Sequence, residues 1–194
     1  MEDASYRAPL KLVVIIGSAR ENRFAPVVAD WTLAQLRQRE DYLVEVIDLL
    51  DTPLPATLPS SPPAEVIEFR QRISGADAFL IITPEYNHSF PGTLKIAIDS
   101  AYAEWSGKAA ALVSYGGLSG GLRAAEHLRQ VFAELNVFAV RNTLSFHDAN
   151  HQFTSEGAPI EASAKLRGAT ALFDQLAWWG RAARLARGLS ASEA

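Results

Sequence analysis

Five short apolar runs, separated by longer stretches of helical periodicity, set the framework of this chain. Leu12-Val13-Val14-Ile15-Ile16 is continuous, mostly β-branched and bounded by Gly17, which predicts a strand buried on both faces. The same reading predicts strands at Leu43-Val44-Glu45-Val46-Ile47-Asp48, at residues 78–82, at residues 109–114, and over most of residues 137–146. Between them the period lengthens to that of a helix. Val27, Val28, Trp31, Ala34 and Leu36 mark one face of a predicted helix over residues 23–39, and further helices are expected at 64–74 and 91–103. Leu122, Ala125, Leu128, Phe132 and Leu135 form another stripe, and an Ala-rich pattern runs from Pro159 to about Arg187, ending near Gly188. Residues 51–63 contain five prolines and predict a surface loop.

Strands alternating with helices imply a parallel sheet covered by helices on both faces. Right-handed crossovers leave few topologies, and the doubly wound α/β order 2-1-3-4-5 is the one expected. Its switch point lies between strands one and three, so the loops after those strands would flank one crevice. A single domain over 1–194 is predicted, with 1–9 and 189–194 as flexible ends; no internal repeat or low-complexity tract breaks it up.

Composition narrows the chemistry. With 48% hydrophobic and 21% charged residues in 194, the chain reads as an ordinary globule. A net charge of −4 offers no basic footprint for nucleic acid. The absence of cysteine excludes disulfides, thiolate metal sites and a cysteine nucleophile. His127, His147 and His151 lack ligand-like spacing, so no metal is expected. The start Met1-Glu2-Asp3-Ala4-Ser5 is acidic, and the run at residues 12–16 is too short for a signal peptide or a membrane span. A cytoplasmic protein with no membrane partner is predicted.

Three loops carry the candidate chemistry. After strand one comes Gly17-Ser18-Ala19-Arg20-Glu21-Asn22-Arg23-Phe24. Its serine and asparagine donors and two arginines precede a helix N-terminus, whose free amides and dipole favour a phosphate. The loop has neither a Gly-x-Gly-x-x-Gly fingerprint nor a Gly-Lys-Ser/Thr sequence, so a single phosphate suits it better than a pyrophosphate. The same residues would also serve as an ordinary turn with two solvated arginines. After strand three comes Thr83-Pro84-Glu85-Tyr86-Asn87-His88-Ser89-Phe90-Pro91-Gly92, where the amides of Glu85 to Asn87 and the Tyr86 ring suit a flat heterocycle. Alone, this loop is equally readable as a tight packed turn. After strand four, Ser114-Tyr115-Gly116-Gly117-Leu118-Ser119-Gly120-Gly121 places four glycines within six residues, allowing close backbone approach to a ligand. All three loops fall at the carboxyl edge of the sheet, where ligands bind in open α/β folds.

Gly17-Ser18-Ala19-Arg20, Thr83-Pro84-Glu85-Tyr86-Asn87 with Pro91-Gly92 and Leu94-Lys95, and Ser114-Tyr115-Gly116-Gly117 together resemble the NADPH-dependent FMN reductase family. The resemblance runs from about Leu12 to Phe146 and implies a flavodoxin-like fold with FMN as cofactor. It implies that Ser18, Arg20, Arg23 and Phe24 hold the FMN phosphate. Pro84, Glu85, Tyr86 and Asn87 would border the isoalloxazine ring, with Ser114, Tyr115, Gly116 and Gly117 on its other edge. Ala25, at the ribityl side, and Ile96 stand where many members have asparagine.

The resemblance further implies an enzyme. NADPH or NADH would pass hydride to FMN N5 in a ping-pong cycle, and free flavin, a quinone or another small acceptor would then be reduced. Such chemistry needs no protein acid, nucleophile or metal, so no catalytic residue is expected; His88 reads as a surface loop residue. The family's usual assembly implies a homodimer or homotetramer, with Tyr102, Trp105 and one of Trp178 and Trp179 as candidate contacts. Two other readings stand beside this one: a flavodoxin-type electron carrier without a nicotinamide site, and a flavin-free binding protein on the same fold.

Overall fold

The computed structural model describes residues 8–57 and 60–192. Five strands form one sheet: β1 (Leu10–Ile16), β2 (Tyr42–Asp48), β3 (Ala78–Pro84), β4 (Lys108–Tyr115) and β5 (Val137–Phe146). All neighbours are parallel and the order is β2-β1-β3-β4-β5, as the alternation of elements predicts. Continuous apolar runs make sense because the three inner strands are covered on both faces. On one face Leu12, Val14, Leu80, Ile82 and Val113 pack with α1 (Ala25–Leu36) and α5 (Ala162–Ser192). On the other, Val13, Ile15, Phe79, Ile81 and Leu112 pack with α2 (Ala64–Gly75), α3 (Gly92–Asp99) and α4 (Leu122–Glu134).

Several boundaries differ from the periodicity, each for a local reason. Helix α1 begins at Ala25, not Arg23, and stops at Leu36; three-residue closures from Gln38 and Arg39 then end it. Helix α3 stops at Asp99, where Ser100 turns its hydroxyl back to the Ile96 carbonyl at 2.7 Å. A 3-10 turn at Ala103–Trp105 then swings Trp105 into the core, fully buried beside Phe79 at 4.6 Å between ring centroids, with its indole N–H donated to Ile98 O. Trp105 is therefore core packing and not a subunit contact. Helix α5 starts three residues after Pro159, which pairs with Phe153 in a short antiparallel bridge, and it runs through Gly188 to Ser192. A helix-interior glycine costs only about 1 kcal/mol, too little to stop a helix anchored elsewhere.

The end of α5 is anchored at the amino edge of the sheet. Arg184 donates to the carbonyls of Ala8 and Pro9, and Arg184 and Arg187 both reach the Asp77 carboxylate. Residues 8, 9 and 189–192, expected as flexible ends, are thus part of the fold or continue α5, while 1–7 and 193–194 lie outside the described residues. Strand β5 departs from regular pairing: Ala110 faces Ala139 but Leu112 faces Thr143, so β5 bulges by two residues. The Arg129 guanidinium fills the bulge, donating to the carbonyls of Ala139, Val140 and Arg141 and to Thr143 Oγ1, which satisfies groups the ladder leaves open. Of the described residues, 51–57 and 60–63 form no helix or strand, as their prolines predict.

Candidate functional site

The carboxyl ends of β1, β3, β4 and β5 open onto a cleft of about 450 Å³. Nine of the thirteen expected site residues line it: Arg20, Arg23, Phe24, Pro84, Glu85, Tyr86, Tyr115, Gly116 and Gly117. Four do not. Ser18, Ala25 and Ser114 are fully buried behind the wall, and Asn87 is exposed outside it.

The first loop brings two arginines together but gives them different partners. Arg23 lays both guanidinium nitrogens on the Asp48 carboxylate at 2.6 and 2.5 Å, and also donates to the Ser18 carbonyl. Hydrogen bonding to Asp48 holds the guanidinium pKa above its ordinary value, against the cost of burial. Arg20 is exposed at the cleft rim, with its guanidinium 5.7 Å from the Tyr86 ring centroid and no carboxylate partner among the described residues. It stands near the start of α1, whose first turn carries no side-chain cap and no acidic residue. An uncapped N-terminus beside an uncompensated cation is a place for an anion.

The second loop is more tightly built than its sequence indicates. Asn87 and His88 both adopt positive φ, at 48° and 67°, and Tyr86 and Ser89 exchange backbone bonds at 2.8 and 3.0 Å across them. This is a two-residue hairpin turn of the primed kind, for which asparagine at positive φ is well suited. The consequence corrects one expectation: the Glu85 amide donates to Tyr115 O and the Tyr86 amide to Ser89 O, so neither is open to a ligand. What faces the cleft here is side chain, chiefly the Tyr86 ring, with its hydroxyl 2.7 Å from Ser18 Oγ.

Glu85 lines the cleft, but its carboxylate is committed to the protein. Its carboxylate accepts from the Arg123 amide at 3.1 Å and the Arg123 guanidinium at 2.8 Å, capping α4. Burial opposes its ionisation, but hydrogen bonds from Ser119 and Arg123 prevail and hold the carboxyl below its ordinary 4.5. A depressed carboxylate pKa stabilises the fold above pH 4.5, where both states are ionised, and that gain disappears as acid protonates the folded carboxyl. Glu85→Gln is therefore expected to lower stability at pH 7 by ~1–2 kcal/mol. Denaturant titrations of the two proteins should converge as the pH falls well below 4.5; a constant gap down to acid pH would contradict this origin.

The glycine loop divides by role. Gly120 and Gly121 have φ of 61° and 83°, and a Cβ there would fall within 2.7 Å of Ser145, His147 or the backbone of Tyr115, so these two serve packing. A Cβ on Gly117 would meet nothing within 4 Å, and Gly117 lines the cleft. The Gly116 amide is used by Phe146 O, and the Gly116 and Gly117 carbonyls accept from Ala149 and Asp148. Those last two residues, with Asn150 and Glu21, form part of the cleft wall that the motif reading missed. Their signal was positional, since the loop after β5 also ends at the carboxyl edge. The Tyr115 hydroxyl is buried with no hydrogen-bond partner among the described residues, and burial pushes its pKa well up.

Cleft size, the free Arg20, the uncapped helix, the bare Gly117 backbone and the orphaned Tyr115 hydroxyl suit a ligand with one anionic end and one flat end. Among the described residues no cluster of side chains could hold a metal ion, and no helix is long and apolar enough to cross a membrane.

The chain is also similar to known proteins in sequence and fold. The profile of the NADPH-dependent FMN reductase family matches residues 10–151. An NAD(P)H-dependent FMN reductase of Schizosaccharomyces pombe is 38% identical over 120 residues, 57% of this chain and 60% of that protein. A 2-hydroxy-1,4-benzoquinone reductase from a Burkholderia species is 35% identical over 161 residues, 76% of this chain and 87% of that one. The match to the yeast protein, like the 57% match to a potato NAD(P)H:quinone oxidoreductase, spans less than two thirds of the relative's own length. In three dimensions the chain resembles FerB, a flavoenzyme NAD(P)H:(acceptor) oxidoreductase from Paracoccus denitrificans. That likeness has a TM-score of 0.70 at 24% identity and covers 86% of this chain and 97% of that one, a shared fold.

Proposed function

This chain belongs to the NADPH-dependent FMN reductase family, and on that premise we propose that it is an NAD(P)H-dependent flavoenzyme whose one domain binds FMN in the cleft and reduces a small acceptor such as a quinone or free flavin. The observation that carries the reading is the convergence of the loops after β1, β3 and β4 on one space, with Arg20, which has no carboxylate partner among the described residues, at one end. FMN held in the cleft would supply hydride acceptance from a reduced nicotinamide and two-electron delivery to the acceptor, the chemistry of a ping-pong cycle.

The chain's own residues bind and orient. Arg20, beside the start of α1, would hold the phosphate by charge and hydrogen bonding, aided by the helix dipole. Tyr86 and Pro84 would wall the ring, and Gly117, lacking a side chain, would leave room along its edge. Glu85 stays ionised and Tyr115 protonated near neutrality, so neither supplies a group that titrates during turnover there. No catalytic acid or base is assigned. The proposed assembly is a homodimer or homotetramer, for which the exposed Tyr102 and Trp178 offer apolar surface, and the proposed location is cytoplasmic.

Anaerobic mixing of the FMN-loaded protein with NADPH, and separately with NADH, tests the proposal. Rapid bleaching of the flavin absorbance is expected, with the faster donor identifying the preferred nicotinamide. Re-oxidation on adding a quinone, without release of enzyme-bound nicotinamide beforehand, would fit the ping-pong order poorly; re-oxidation after its release would fit it well. Flavin that binds and stays oxidised would mean an electron carrier, and failure to bind FMN would remove the site.

A further inference from the structure

We propose that Asp48, which does not line the cleft, is a positioning residue of the flavin site: it grips the Arg23 guanidinium and so keeps the loop after β1 in its ligand-ready shape. The inference rests on the flavin reading above.

Asp48 is the last residue of β2, and its own orientation is fixed by the Leu50 amide, which donates to Oδ1 at 3.0 Å. Its two oxygens meet the two terminal nitrogens of Arg23 in a fork, with side-chain exposures of 9% for the arginine and 20% for the aspartate. The same arginine nitrogen that bonds Oδ1 donates to the Ser18 carbonyl, and Ser18 Oγ is 2.7 Å from the Tyr86 hydroxyl. A line of hydrogen bonds thus runs from the end of β2 to the loops after β1 and β3. It ties together the two loops that would take the phosphate and the ring.

The resemblance implies that Arg23 itself holds the phosphate. The geometry assigns it a different job. Turning toward a ligand would break the paired bonds of the fork and leave the partly buried Asp48 carboxylate without its cation, an expensive rearrangement for a shielded ion pair. With Arg23 neutralised by Asp48, and Arg123 by Glu85, the cation left for an anion among the described residues around the cleft is Arg20. Pre-formed loops lose less freedom when a ligand arrives, which raises affinity without any new contact. Such a gain applies to the whole ligand, whereas a phosphate contact acts on the phosphate alone.

That difference defines the experiment. Flavin-free wild type, Asp48→Asn, Asp48→Glu and Arg23→Lys are titrated with FMN and with riboflavin, which lacks the phosphate, each protein being checked for a cooperative melt. Asp48→Asn is expected to weaken both flavins by the same factor, about tenfold. Arg23→Lys keeps the charge but loses the fork, and should do the same; it carries the test should Asp48→Asn not fold. Asp48→Glu, able to re-form part of the fork, should recover part of the loss. Affinities equal to wild type in Asp48→Asn and Arg23→Lys would overturn the proposal. So would a change confined to FMN in either direction, since Arg23 would then be a phosphate contact. Wild type that binds neither flavin would overturn the site reading itself, and this inference with it.

Discussion

FMN is expected to bind the Arg20→Ala protein about thirtyfold more weakly than wild type, while riboflavin affinity stays as it was. The magnitude follows from one charge-assisted hydrogen-bonding contact, worth ~2 kcal/mol when removed. Arg20 is suited to it because no carboxylate among the described residues competes for its guanidinium, in contrast to Arg23 and Arg123. Its exposure at the rim limits the gain and makes it salt-sensitive, so the titration belongs at fixed, low ionic strength. Equal losses for FMN and riboflavin would assign Arg20 to the ring end, where it already stands 5.7 Å from the Tyr86 ring. No loss at all would take the phosphate away from this loop.

The largest effect on stability is expected at Trp105. Trp105→Ala should cost ~4 kcal/mol, the range for emptying a large buried aromatic site, and should lower the melting temperature by roughly 10 °C. The ring is fully buried among Phe69, Phe79 and Phe132, so the space it leaves has stiff aromatic walls on three sides. Its indole N–H is donated to Ile98 O at the end of α3, and the mutation strips that bond as well. Trp105→Phe should keep most of the packing and cost ~1–2 kcal/mol, for the lost indole hydrogen bond and the smaller ring, since the Ile98 carbonyl still accepts from the amides of Ser100 and Ala101. A thermal or denaturant melt decides; a shift of only a degree or two for Trp105→Ala would mean that the pocket collapses.

These two residues mark how far sequence alone reaches. The sheet order and the covered faces were legible because runs such as residues 12–16 and 78–82 have no polar face to expose. Arg20 was legible because its loop carries donors and charge beside a helix start. Trp105 was not, since its position depends on where α3 ends, and the bond from the Ser100 hydroxyl back to Ile96 O that accompanies that end leaves no mark on the apolar period. The pairing made by Arg23 was hidden too. Its partner Asp48 lies 25 residues away on another strand, and only the parallel pairing that sets Ile16 opposite Asp48 brings the two together. The glycine loop was half legible: its density flagged the site, but only backbone angles separate Gly121, held by packing, from Gly117, open to the cleft. Asp148 and Asn150 carry no motif, and enter the wall because β5 ends there.

The anchoring of α5 bears on how the protein emerges during translation. Arg184 and Arg187 grip Asp77 and the carbonyls of Ala8 and Pro9, so the amino edge of β1 and the approach to β3 are completed by residues made more than a hundred positions later. While the ribosome still holds that segment, the face of β1, β3 and β4 that α1 and α5 share has only α1 over it. The nascent chain can form β1, β2 and β3 with their flanking helices, but it cannot seal the sheet. Until α5 emerges it is an adhesive intermediate, the kind of species on which chaperones act.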